Sequence, residues 1–109
     1  MPNKASIADA SGDIQELISI LDNAYWETAT IERKDLIYSI IALLGSENTE
    51  INKLSIQDNH LPYEPISEDF RELKNKLNQL RKMMDEVVMR SVTARALDRL
   101  IPKITSLLN

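Results

Sequence analysis

The sequence contains no cysteine. That excludes disulfides, a thiolate nucleophile and a Cys-ligated zinc. Glycine occurs twice and proline four times in 109 residues. Long stretches free of both favour helices over a turn-rich β fold, and Gly12 and Gly45 alone cannot build a glycine-rich phosphate loop. Aromatic residues make up 5%, with one Trp and one Phe, so Leu and Ile must supply the core. His60 is the single histidine and no Gly-x-Ser-x-Gly elbow occurs, which leaves nucleophilic catalysis without support. The longest apolar run, Ile40-Ile41-Ala42-Leu43-Leu44, is far short of the roughly 20 residues that cross a bilayer, so no membrane insertion is expected. Residues 1–12 hold no apolar run of the kind a secretory signal needs, and a cytoplasmic protein is expected.

What the sequence does have is a period. Ile66, Phe70, Leu73, Leu77, Leu80, Met84, Val87 and Ser91 fall at alternating steps of four and three, and all but the last are apolar. That is the roughly 3.5-residue repeat of a helix whose seam faces other helices. Asn75, Lys76, Gln79 and Lys82 keep its other side wet. The expected fold is all-α: a helical hairpin or bundle of three to five helices, with a long heptad-patterned central helix over Ile66–Ser91.

The rest of the chain fits around that helix. Residues 1–10 read as a flexible N-terminal tail and residues 11–109 as a single helical domain. Asp13, with Glu16 three residues on, reads as a capping box. Ile14, Leu17, Ile18, Leu21, Ala24 and Tyr25 then give a first helix to about Ala29. The β-branched Thr28, Thr30 and Ile31 mark a soft spot. A second stripe of Leu36, Ile37, Ile40, Ile41 and Leu44 resumes at Ile51 and Leu54. A mid-helix glycine costs only about 1 kcal/mol, so this helix is expected to run through Gly45 to about Gln57, with at most a small kink. Asp58 to Pro65 is the clear loop, and Ser67 caps the central helix. Val92, Ala96, Leu97, Leu100, Ile101, Ile104 and Leu108 form a last amphipathic helix, which Pro102 should kink or end.

Few residues offer chemistry. His60 stands near Asp58, Glu64, Glu47 and Glu50, but there is no Glu-x-x-His pair of the kind that holds metal inside helical bundles. No metal ligands, cofactor or catalytic residues are expected. Glu47 and Glu50 lie one helical turn apart beside the apolar stripe. This pair resembles the Glu-x-x-Glu helix of all-α nucleotide pyrophosphatases, which implies a magnesium–phosphate site on Glu47 and Glu50. The second acidic pair of that pattern is missing: Glu64, Glu68 and Glu72 are followed three residues later by Ser67, Arg71 and Asn75.

Charge is unevenly spread. Residues 1–70 carry 13 acidic and 4 basic side chains, net −9, and residues 71–109 carry 4 acidic and 9 basic, net +5, which together give the −4 of the whole chain. Arg95, Arg99 and Lys103 stand four apart and could track phosphates, yet no aromatic is interleaved and the pI is about 5.0, so nucleic acid is the lesser reading. Pairing of the basic half with the acidic half is expected instead. The functional expectation is a small non-enzymatic interaction and oligomerisation module, a homodimer or higher homo-oligomer that could also dock on another protein. Its interface residues are Leu73, Leu77, Leu80, Met84 and Val87 along the seam, with Tyr25 and Trp26 as aromatic anchors. The alternatives are a nucleic-acid-binding regulator and a metal- or phosphate-binding all-α enzyme.

Overall fold

The computed structural model describes residues 5–84 and 91–108. Among them are four α-helices and no strand. We label these α1 (Ile7–Glu27), α2 (Ile31–Asn52), α3 (Leu73–Lys82) and α4 (Ser91–Leu107). Short 3-10 turns occupy Ile56–Asp58 and Glu68–Glu72. α1 packs on α2 and on α4, and α3 closes the square against the same two helices. Ser11 near the start of α1 pairs with Asn48 near the end of α2, and Glu27 at the end of α1 pairs with Thr93 at the start of α4, so α1 runs antiparallel to both neighbours.

α1 starts two turns earlier than the Asp13 capping box suggests. Ser6 is the N-cap, accepting a hydrogen bond from the Asp9 N–H at 3.1 Å. The expectation of a tail over residues 1–10 is therefore corrected for Ser6 to Ala10, where Ile7 and Ala10 are already buried; residues 1–4 lie outside the described residues. The cause is tertiary. The first amides of a helix have no partner within it, and here Ile7 N–H donates to the Leu61 carbonyl at 2.9 Å and Ala8 N–H to that of Asn59 at 3.0 Å. The Tyr63 N–H returns to the Ala5 carbonyl at 2.8 Å. A distant loop supplies the order that local periodicity does not.

The break after α1 falls at residues 28–30. Thr28 turns its hydroxyl back to the Ala24 carbonyl at 2.8 Å and Thr30 begins the next helix in an extended conformation. α2 runs through Gly45 unbroken, as the stripe requires, and stops at Asn52 rather than Gln57. A long helix over Ile66–Ser91 is not confirmed. Ser67 is extended, residues 68–72 form a 3-10 turn, and α3 ends at Lys82, with Met83 as its C-cap. Within this stretch Phe70, Leu73, Leu77 and Leu80 are fully buried, Ile66 is exposed and Met84 is partly buried. Val87 lies outside the described residues. α4 passes through Pro102 without ending. Pro102 is exposed, so the hydrogen bond it forfeits lies on the solvent side.

The core is aliphatic, with Ile14, Leu17 and Leu21 from α1 meeting Ile37, Ile40 and Leu44 from α2, the α3 leucines, and Leu97, Leu100, Ile101 and Ile104 from α4. Leu77→Ala is expected to lower the unfolding free energy by about 2–5 kcal/mol in urea denaturation. Gly45→Ala, whose new methyl meets nothing within 4 Å, should raise it by up to about 1 kcal/mol.

Candidate functional site

The buried stripe of α2 is Ile37, Ile40, Leu44, Glu47 and Ile51. Its steps of three and four put a carboxylate at a core position, and Glu47 is 0% exposed. Burial of an ionised carboxylate is costly unless its lone pairs are met by donors. They are met by the loop before α3. On Oε2, Glu47 accepts from the Tyr63 hydroxyl and from the Ile66 N–H at 2.8 Å. On Oε1 it accepts from the Ser67 N–H at 2.8 Å and the Ser67 hydroxyl at 2.9 Å. All four donors are neutral, and all come from residues 63–67.

This accounts for the extended backbone at Ser67. Two consecutive amides, those of Ile66 and Ser67, must point at one carboxylate, and Pro65 holds the chain just before them. Ser67 is the residue preceding the 3-10 turn, as a capping serine should be, but its hydroxyl serves Glu47 rather than the turn. Tyr63 is buried beside the carboxylate. Burial, then the hydrogen bond to Glu47 and its charge, push the Tyr63 hydroxyl far above the ordinary tyrosine range.

The other residues singled out by chemistry are not gathered here. Glu50, one turn on, pairs with Lys53 at 2.8 Å near the surface. Asp58 and His60 are exposed in the loop. Among the described residues, no group of three or more His, Asp or Glu is placed to hold a metal ion. The magnesium–phosphate pairing that the Glu-x-x-Glu resemblance implies is not assembled, because Glu47 is turned inward and its oxygens are taken.

The central member of the basic stripe of α4, Arg99, pairs within the fold, while Arg95 and Lys103 are exposed. The Arg99 guanidinium donates to Glu16 at 2.6 Å. That hydrogen bond chiefly, with the positive charges of Arg99 and Lys103, holds the Glu16 carboxyl below its usual range. Glu16 therefore favours the folded state above the ordinary carboxylate range, an effect lost as acid protonates it. Both groups are about half exposed, so the pair contributes little stability.

The interface residues read from the sequence separate into two places. Leu73, Leu77 and Leu80 are fully buried under the chain's own helices. Tyr25 and Trp26 sit at the end of α1, their rings edge to face at 5.3 Å. Lys34 of α2 donates to the Tyr25 carbonyl at 2.6 Å and lies 4.3 Å from the Tyr25 ring and 5.4 Å from that of Trp26. Trp26 remains 74% exposed, and Ile31 and Tyr38, two turns apart on α2, are 73% and 65% exposed. The exposure of Ile31 and Tyr38 carried no sequence signal beyond their spacing of seven.

Comparison with protein families, with curated proteins and with solved structures finds no match to this chain.

Removing the Tyr63 hydroxyl with Tyr63→Phe is expected to cost about 1.5–3 kcal/mol, as for hydrogen bonds to charged groups, and Glu47→Ala more, since four donors lose their acceptor; urea denaturation at neutral pH reads both. Tyr63 should also resist ionisation. As pH climbs above the ordinary tyrosine value of about 10, only the unfolded chain gives up this proton, so stability falls. Tyrosinate absorbance should show one equivalent withheld until the fold melts; full ionisation before melting contradicts the assignment.

Proposed function

We propose that this protein is a non-enzymatic helical module whose work is association, first with a second copy of itself and, through that assembly, with a larger partner. The observation that carries this reading is the exposure of Trp26, Ile31 and Tyr38 on the α1–α2 side of the bundle. Tyr and Trp are the residues most enriched where binding energy concentrates, and contiguous exposed apolar groups on a small protein mark interaction surfaces. α2 adds support, since its partly buried and exposed positions include Ile31, Leu36, Tyr38, Ile41, Ala42 and Leu43. Outside a polar strip formed by Glu32, Asp35, Ser39, Ser46 and Glu50, it carries apolar residues around its circumference, as does a helix covered on more than one side. The acidic group with most chemical potential, Glu47, serves the fold. Among the described residues no helix is long and apolar enough to cross a membrane.

Sedimentation at tens of micromolar should give about twice the 12.4 kDa of one chain or more. Tyr38→Ala should shift the equilibrium toward monomer while leaving helix content unchanged. A wild-type mass of one chain at that concentration overturns the proposal.

A further inference from the structure

The α1–α2 face is bulky at one end and hollow at the other. The bulky end carries Trp26, Ile31 and Tyr38. At the far end, where α1 begins and α2 finishes, Ile7, Ala8, Gly12, Gln15, Ile51 and Ile56 line a hollow of about 350 Å³. Its rim holds Ile56, 87% exposed. Gly12 lies inside a helix at its usual cost, and a Cβ added there meets nothing within 4 Å. Nothing within the chain requires glycine at this position.

Helical spacing places Ala8, Gln15, Ser19, Asp22 and Trp26 along one side of α1. All five are exposed, and the contacts of Ser11 with Asn48 at 3.3 Å and of Lys34 with Tyr25 and Trp26 put α2 alongside this face. In a chain with 28% charged residues, the middle of this face carries little beyond Asp22 and Asp35, and interface centres are likewise poor in charge. Ala8 and Trp26 are 18 residues apart, about 27 Å along the helix.

We infer that two copies pack antiparallel through this face, α1 on α1 and α2 on α2, with Trp26 of each inserted into the Ala8–Gly12 hollow of the other. This rests on the self-association reading above and names its surface. Three features select a second copy as the occupant. The knob and the hollow lie at opposite ends of one helix, so a twofold axis across the middle fills both hollows at once, as an isologous interface requires. A cavity of about 150 Å³ already admits benzene, so this one has room for an indole. Lys34, riding on the indole, arrives beside Asp9 and beside Asp58 in the turn that forms the rim, a complementary charge contact. Two antiparallel helices about 30 Å long and about 10 Å wide offer a footprint of roughly 600 Å². Accessible area exceeds footprint, so this approaches the roughly 800 Å² per partner of a standard interface.

Trp26 is the only tryptophan, so its fluorescence reports the contact directly. The experiment measures sedimentation mass and Trp emission over a concentration series for wild type, Trp26→Ala and Gly12→Leu, with Gly12→Ala as a gentler filling and circular dichroism as the check on folding. The inference predicts that wild-type emission shifts to the blue as the dimer forms. Gly12→Leu should stay helical and monomeric, with its indole emitting as in water at every concentration, and Gly12→Ala should weaken the dimer several-fold. A wild-type dimer that Gly12→Leu leaves intact, with unchanged emission, overturns the inserted indole and leaves self-association standing. A wild type that is monomeric throughout overturns both.

Discussion

The carboxylate of Glu47 sets the architecture of one end of the molecule. It lies at a core position of α2 and takes four hydrogen bonds from residues 63–67. A buried anion of this kind tolerates few alternatives, because each unmet lone pair in a low-dielectric interior is expensive. It dictates the extended backbone at Ser67 and thereby the point at which the chain enters the 3-10 turn that leads into α3. The same loop supplies the Asn59 and Leu61 carbonyls that receive the first amides of α1. One side chain on α2 thus fixes where the turn before α3 begins and, through the loop, where α1 begins.

Around that anchor the energetics are ordinary. Leu and Ile from four helices supply the stability by burial, and the visible ion pairs lie at the surface, where they choose neighbours more than they add strength. The acidic α1 meets the basic α4 through Glu16 and Arg99, so part of the charge asymmetry between the two halves is neutralised inside one chain. The basic stripe that suggested phosphates is to that extent already engaged.

The fold class was legible because it depends on periodicity. The stripes Ile14–Leu17–Leu21, Ile37–Ile40–Leu44, Phe70–Leu73–Leu77–Leu80 and Leu97–Leu100–Ile104 are all buried, and scarce glycine leaves few places for a break. Boundaries were less legible because remote groups set them. The start of α1 answers to carbonyls more than fifty residues away, and the extended backbone at Ser67, where the pattern reads helix, answers to Glu47. Pro102 interrupts the sequence pattern but costs only a solvent-side hydrogen bond. Glu47 itself was readable as a polar residue on an apolar stripe. Its role was not, since that depended on which donors a distant loop would bring. Tyr63 and Ser67, with Pro65 between them, were the available clue: a hydroxyl-rich loop rigid enough to aim two amides. The interface leucines were found as core by the same spacing that suggested a seam. Spacing says that a face is covered, and only the tertiary arrangement says by what.

Amide hydrogen exchange at Ile66 and Ser67 tests the central role of Glu47 most directly. If the carboxylate anchors the loop, these two amides should exchange as slowly as those in the middle of α2, although they belong to no regular element, and Glu47→Gln should release them while the α2 amides stay protected. Exchange at the rate of an open loop in the wild-type protein would contradict the account.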